Sequence, residues 1–169
     1  MRTALRSAIF SALLFAFCSC VMAQDAKAPG VVPPDQLKKI VPSSYFYRGQ
    51  SASVQLRNSV GVRTQDQKYV LAGMVDTSGY ASDIAQKYQG FLITEVKLDI
   101  EGSSLPPGEY GFGFTADKFL VTDVGANEVL SVSFKTDDNL KRAVPLKIVE
   151  DNGTYKLYAG KKWVALKVQ

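Results

Sequence analysis

The chain has 169 residues, of which 46% are hydrophobic, with 20 Lys and Arg against 16 Asp and Glu and no histidine. This length and composition are those of one globular domain rather than of a disordered chain. The two cysteines, Cys18 and Cys20, lie within the first 23 residues. The rest of the chain has neither imidazole nor thiol, which excludes His-based triads, Cys nucleophiles and His-rich metal sites.

The N-terminus predicts an export signal. Arg2 and Arg6 precede an apolar run at residues 8–22, and Val21-Met22-Ala23 is a small-x-small cleavage pattern. We therefore expect residues 1–23 to be a signal peptide and the protein to be periplasmic or secreted. No later apolar run approaches the ~20 residues of a membrane-spanning helix. No transmembrane segment is expected after cleavage.

Two segments of the chain predict short helices. Residues 24–43 are expected to be a flexible leader with a short helix at 35–41, with Asp35 as its N-cap and Pro42 ending it. A second short helix is predicted at residues 82–88, with Ser82 as its N-cap. The leader precedes a single β domain that we expect to span residues 44–169.

The β domain is predicted from period-2 alternation and turn signals. Residues 51–58 fit either a strand or a helix by their spacing, and strand is favoured. The other predicted strands cover residues 60–64, 68–75, 91–100 (one long strand or two short ones), 109–115, 118–124, 130–134, 144–148, 154–159 and 162–168. Pro145 predicts an edge strand or a strand start. Asp151-Asn152-Gly153 predicts a tight hairpin, because Asn-Gly accepts positive φ.

Eight or nine short strands with tight connections predict an all-β, mainly antiparallel fold. The expected architecture is an up-and-down meander that closes into a lipocalin-like barrel, and a two-sheet β-sandwich is the alternative. Leu105-Pro106-Pro107-Gly108-Glu109-Tyr110 resembles the Leu-Pro-x-Gly-x-Tyr turn that enters a strand in carboxypeptidase regulatory-like, transthyretin-like domains. This six-residue resemblance implies the sandwich. The consecutive hairpins, with no long crossover after residue 108, favour the barrel.

One loop carries a motif associated with catalysis. Val75-Asp76-Thr77-Ser78-Gly79 follows an apolar strand and resembles the Asp-Thr-Gly loop of aspartic proteases. Ser78 stands where that loop has Gly, and the chemistry requires two carboxylates that share one proton, so a single motif would need a dimer. The favoured interpretation is a turn in which the Asp76 side chain binds nearby backbone amides.

Two other groups of carboxylates are candidate sites. Asp99 and Glu101, two apart on a predicted strand, would share one face and form a glycosidase or calcium pair, but a solvated outer face is favoured. Asp137-Asp138-Asn139 offers oxygen ligands for calcium without the Gly and Glu of a dedicated loop, and is interpreted as a turn or helix cap. We predict no metal and no cofactor.

Aromatic residues provide the candidate ligand-binding site. Tyr110, Phe112 and Phe114 alternate with two glycines, so they line one face of a strand. Core packing, with the glycines easing a bend of the sheet, is favoured over an aromatic wall of an apolar cavity. In the cavity interpretation these three residues and Trp163 would bind an apolar small molecule.

The C-terminal segment is basic. Residues 134–169 carry 8 basic and 4 acidic groups, and Tyr155, Tyr158 and Trp163 interleave with the lysines. These lysines either protect the outer faces of edge strands or bind an anionic partner such as a lipid headgroup, polysaccharide or nucleic acid. The small net charge of the chain without its signal, about +2, and the predicted export argue against nucleic acid.

The sequence therefore predicts an exported, bacterial-type, non-enzymatic β-module of the cell envelope that binds a small apolar molecule or a partner surface. A structural or accessory envelope protein without a small ligand is the alternative, and a hydrolase is a remote one. An unfilled cavity beside Phe112 would favour the binding module. A solid interior with an exposed apolar edge would favour the structural protein. The oligomeric state is not predicted.

Overall fold

The structure is a computed structural model that describes residues 28–169. Strands make up 55% of it and helices 9%. The strand pairings are antiparallel, so the predicted mainly antiparallel β fold is confirmed. The predicted signal peptide, its cleavage after Ala23 and the beginning of the leader lie outside the described residues.

Sixteen elements follow one another along the described chain. They are β1 (Gly30–Val31), α1 (Pro34–Ile40), β2 (Ser44–Tyr47), β3 (Gln50–Arg63), β4 (Tyr69–Val75), α2 (Ser82–Lys87), β5 (Gly90–Thr94), β6 (Leu98–Ile100), β7 (Ser103–Leu105), β8 (Gly108–Phe114), β9 (Phe119–Thr122), β10 (Glu128–Val132), β11 (Lys135–Thr136), β12 (Val144–Asp151), β13 (Thr154–Gly160) and β14 (Lys162–Val168).

The larger sheet has eight strands in the order β1-β3-β4-β5-β8-β9-β10, and β2 pairs with β3. Strand β3 runs through the segment whose spacing fitted either a helix or a strand. Its pairing with β4 shifts register between Val54 and Ser59. The strand prediction for residues 51–58 is confirmed, because alternation continues on both sides of this irregularity.

The smaller sheet has six strands in the order β12-β13-β14-β6-β7, and β11 pairs with β14. The ambiguous segment at residues 91–100 forms two strands, β5 in the larger sheet and β6 in the smaller one. The Thr94 side chain holds the bend between them, since its Oγ1 donates to the Val96 carbonyl at 2.6 Å. The strand pairings of residues 28–169 close no barrel.

The larger sheet is covered on both faces. Inward side chains of both sheets form the main core. The second core, on the opposite face of the larger sheet, contains Leu37 of α1, Tyr45 and Tyr47 of β2, and Tyr88 and Phe91 around the end of α2. The segment predicted as leader therefore supplies a core residue, and the packed part of the chain begins before residue 44.

The helix ends differ in detail from the predictions. Helix α1 begins at Pro34 with Pro33 as its N-cap, so Asp35 lies in the first turn instead of capping it. Helix α2 has Ala81 as its N-cap, and Ser82 is the first helical residue. The two predicted side-chain caps are therefore wrong, because each polar residue lies one or two positions too far into its helix to cap it.

Two turn and edge predictions are confirmed. Asn152 and Gly153 have φ of 51° and 77°, the pair of positive values that a tight hairpin turn requires. Pro145 lies in β12, at an edge of the smaller sheet. Within residues 28–169, neither helix has the length and apolar character needed to cross a bilayer.

Candidate binding face

The aromatic face of β8 lies inside the main core. Phe112 is 0% exposed, and Tyr110 and Phe114 are also buried. The Phe112 and Phe114 rings lie 5.7 and 4.7 Å from that of Phe119, measured between centroids. The same cluster contains Val121, Leu130, Val132 and Val164. Side chains of both sheets therefore surround the strand that carried the candidate cavity wall.

The glycine face of β8 lies against the second core. A Cβ added at Gly111 would stand 2.7 Å from the Tyr47 ring and 3.0 Å from the Tyr88 ring. These two rings stack on each other with a centroid distance of 3.8 Å, and the Tyr80 ring meets both edge-on. The glycine makes room for the tyrosine cluster, a reason different from the bend that the sequence suggested.

The tyrosine cluster, Tyr47, Tyr80 and Tyr88, is a packing element in which the Tyr80 hydroxyl donates to the Tyr47 carbonyl at 3.1 Å. The hydroxyl groups of Tyr47 and Thr122 are 2.8 Å apart. The Tyr88 hydroxyl is buried and has no hydrogen-bond partner among the described residues. Burial raises the pKa of Tyr88 and that of Tyr45 far above the ordinary value. Both groups stay protonated at neutral pH and offer no base.

Trp163 lies elsewhere, on the outer face of the smaller sheet. Along β14, Val164 and Leu166 are buried in the main core, so the alternation of the strand turns Trp163 outward. It is half-buried and does not belong to the cluster around Phe112. The structure thus brings three of the four candidate ligand-binding residues together and separates the fourth.

Strand register places Trp163 in a row of lysine and aromatic side chains that runs across four adjacent strands. Trp163 is opposite Tyr158 of β13 on one side and Lys135 of β11 on the other. Tyr158 is in turn opposite Lys147 of β12. We call these four residues, together with neighbouring Lys156, the lysine–aromatic face. The sequence shows that lysines and aromatic residues interleave, but the pairs among them depend on strand register.

Cation–π contacts organise this face. The Nζ atoms of Lys135 and Lys156 lie 4.8 and 4.9 Å from the Trp163 ring centroid. The Nζ atom of Lys147 lies 5.8 Å from that of Tyr158. Ammonium groups within about 6 Å of a ring centroid are attracted by the negative face of the aromatic ring.

Carboxylates fix two of the three lysines. Lys135 forms an ion pair with Glu101 at 2.8 Å, and Lys156 forms one with Asp151 at 2.6 Å. The hydrogen bond from Lys156 holds the pKa of Asp151 below its usual value. Among the described residues Lys147 has no carboxylate within ion-pair distance, so its charge is uncompensated by a direct partner.

The Asp76 loop has the geometry of a turn. The Asp76 Oδ1 atom accepts a hydrogen bond from the Ser78 amide at 3.0 Å. That backbone hydrogen bond lowers the pKa of the Asp76 carboxyl. The side chain thus stabilises its own loop, as the turn interpretation predicted.

Asp99 and Glu101 do not share one face of a strand as expected, because β6 ends at Ile100 and Glu101 lies in the following turn with φ of 48°. Its Oε1 accepts the Ala165 amide at 2.7 Å, and Asp99 Oδ1 accepts the Gly102 amide at 2.9 Å. The two acids hold a hairpin in place rather than presenting a site.

The other acidic segment is also a turn. Asp137 Oδ1 accepts the Asn139 amide at 3.0 Å, and its Oδ2 accepts the Tyr158 hydroxyl at 3.3 Å. In the part of the chain that the structure describes, no group of three or more His, Cys, Asp or Glu is placed to hold a metal ion.

A hollow of about 450 Å³ is lined by residues of both sheets. The acidic side chains on its lining are Asp66 and Glu150, beside Tyr155. Arg63 also borders it but is 3% exposed, and its guanidinium donates to the Gln36 side chain at 2.6 Å. The hollow therefore has a lining of mixed polar and apolar character.

Comparison of this chain with protein-family models, curated proteins and solved structures gives no match. The site must therefore be judged from its own residues.

Proposed function

We propose that the protein is an exported, non-enzymatic β-module of the cell envelope that binds a partner surface through the lysine–aromatic face. The observation that carries the proposal is the position of Trp163, a half-buried indole on the outside of a sheet with two ammonium groups over its ring. Tryptophan is among the residues most enriched at binding hot spots.

The branch of the proposal in which an apolar small molecule fills the interior has weaker support. Phe112 has no exposed surface and touches neighbouring aromatic rings of the main core. A strand that walls a ligand cavity would leave ring surface facing the ligand. The surface of the smaller sheet is consequently the better candidate site.

A structural or accessory role without a small ligand is the second candidate. Two exposed apolar side chains on strands of the larger sheet favour it, Phe46 at 57% and Val129 at 44% exposure. Large apolar side chains exposed on edge strands are typical of assembly surfaces.

For the architecture we propose a two-sheet sandwich rather than a barrel. Inward side chains from both sheets share one core, and each sheet keeps edge strands without a partner on one side. The turn resemblance at residues 105–110 points the same way.

The binding proposal is tested by sedimentation of the purified protein with isolated cell envelopes from the source organism. Trp163→Ala should reduce the bound fraction strongly, whereas Phe46→Ala should leave it unchanged. The reverse pattern would favour the structural role, and equal loss or no binding at all would reject the lysine–aromatic face.

Export is tested separately by N-terminal sequencing, which should begin at Gln24; a chain that begins at Met1 or carries an acylated Cys20 would contradict it.

A further inference from the structure

We propose that the lysine–aromatic face binds an acidic polysaccharide, an inference that rests on the binding function proposed above. The face combines the half-buried ring of Trp163 with two ammonium groups, and the neighbouring Tyr158, which is 7% exposed, packs beside that ring. The Trp163 and Tyr158 ring centroids are 6.0 Å apart and the rings are inclined by 31°. The negative face of an aromatic ring attracts the polarised C–H groups on the flat side of a sugar ring. An adjacent ammonium group is then available for the acidic substituent of the sugar.

Charge complementarity selects an anionic ligand. Strands β11 to β14 and their turns, residues 134–169, have 8 basic and 4 acidic groups, whereas residues 28–133 have 9 basic and 11 acidic groups. With Asp99 and Glu101 of the β6–β7 hairpin included, the smaller sheet has 8 basic and 6 acidic groups and keeps a net charge of +2. Three carboxylates at the face are already engaged, Glu101 and Asp151 by lysines and Asp137 by the Tyr158 hydroxyl. The ammonium group of Lys147 is left to pair with an incoming anion.

The surroundings of the face favour a polysaccharide over a lipid surface. Membrane binding requires apolar side chains that enter the bilayer. The large apolar side chains that are exposed in the described chain lie outside β11 to β14; they are Val31, Phe46, Leu56, Val124 and Val129. Nucleic acid would also stack on aromatic rings, but it requires a longer positively charged track than three lysines provide, two of which already pair with carboxylates.

The experiment uses the fluorescence of Trp163, the single tryptophan of the chain. The purified protein is titrated with alginate, a polymer of uronic acids, and in parallel with neutral dextran, anionic phospholipid vesicles and a single-stranded oligonucleotide. We expect alginate alone to change the emission, and we expect 0.5 M salt to weaken the response because exposed charge interactions are screened.

Matched substitutions locate the interaction. Lys147→Gln should weaken alginate binding by about twofold to fivefold, the range for one exposed charge contact. Lys39→Gln makes the same charge change on α1, beyond the opposite face of the larger sheet, and should leave the affinity unchanged. Affinity electrophoresis in alginate gels gives a second readout that does not depend on fluorescence.

Several outcomes would overturn the inference: no response to alginate, an equal response to dextran, a response to vesicles or oligonucleotide instead, or equal weakening by both lysine substitutions. If envelopes still sediment the protein through Trp163 while alginate does not bind, the polysaccharide inference fails and the binding function stands. If neither occurs, both fail.

Discussion

Gly113 of β8 lies directly beneath the backbone of Lys87, at the last residue of α2. A Cβ atom added to Gly113 would collide with the carbonyl group of Lys87. The close approach seats the end of α2 against the larger sheet, where the Gln89 side chain exchanges two hydrogen bonds with the backbone of Phe114, at 3.0 and 3.1 Å. The helix position thus depends on the absence of a side chain.

We therefore expect Gly113→Ala to destabilise the protein by about 2–3 kcal/mol, because backbone atoms cannot yield as a flexible side chain can. Gly79→Ala is the matched control, since a Cβ there meets nothing closer than 4.0 Å. Urea unfolding of both variants measures the difference. Equal stability of the two would show that α2 shifts at little cost.

Phe112→Ala tests whether the interior is filled. The ring is completely buried among packed side chains, so its removal should cost about 3–5 kcal/mol of unfolding free energy. Phe46→Ala, at an exposed position, should cost far less. A loss below about 1 kcal/mol for Phe112→Ala, with binding of a hydrophobic dye by the wild type, would instead indicate a cavity.

Two tyrosines of the second core should respond with opposite signs to the same change. Tyr47→Phe removes the hydrogen bond with Thr122 and should cost about 1 kcal/mol. Tyr88→Phe removes a buried hydroxyl without a partner in the described chain and should be neutral or stabilising by about 1 kcal/mol. Thermal unfolding of both variants measures the contrast, and a clear loss for Tyr88→Phe would reveal a partner for that hydroxyl.

The hairpin between β12 and β13 tests backbone conformation alone. Gly153 has φ of 77° and open space around its Cα, so Gly153→Val should destabilise by about 1 kcal/mol or more through strain rather than collision. Asn152→Gly keeps the left-handed conformation and should change stability little. A melting temperature unaffected by the valine would place the turn elsewhere.

Acid sensitivity is expected from the loop that follows β9. The Asn127 side chain and amide both bind the Asp123 carboxylate, at 2.8 and 2.9 Å, and these hydrogen bonds lower the pKa of Asp123 below its usual 3.8. A carboxyl group whose pKa is lower in the folded state stabilises the protein at pH values above its ordinary pKa. This stabilisation is lost as the pH falls through the pKa of the folded state.

The stability difference between wild type and Asn127→Ala should therefore be present at pH 6 and shrink below about pH 4. Asn58→Ala provides the control, because the Asn58 side chain binds the neutral Gln55 side chain and its effect should not follow this pH window. Melting temperatures measured from pH 6 to pH 2 give the comparison. A constant Asn127→Ala difference would contradict the carboxylate as the cause.

Local patterns predicted the strands and hairpins well because alternation and turn chemistry act over a few residues. Asn152-Gly153 could be assigned from two side chains alone. The assignment of β5 and β6 to different sheets could not be predicted from the sequence. A bend at Thr94 has the same local pattern whether the chain returns to its own sheet or crosses to another. Barrel and sandwich differ in just such long-range pairings.

The candidate site shows the same division. The alternation along β8 correctly grouped Tyr110, Phe112 and Phe114 on one face. Trp163 was a candidate ligand-binding residue only because it is aromatic. The register of β14 places it on the outer surface of the smaller sheet instead. The row that joins it to Lys147 depends on the pairing of four strands, which no single segment of sequence encodes. The packing of Gly111 against the tyrosine cluster could not be predicted either, because the rings belong to residues that are distant in sequence.

The smaller sheet is assembled from two parts of the chain that are far apart in sequence. Its β6–β7 hairpin comes from the middle of the chain, and Ile100 pairs with Leu166 near the C-terminus. During synthesis this hairpin has no neighbour until β14 has been made. Closing so long a loop is slow relative to local hairpin formation. From this topology we expect the larger sheet to form first and β14 to complete the surface that carries Trp163.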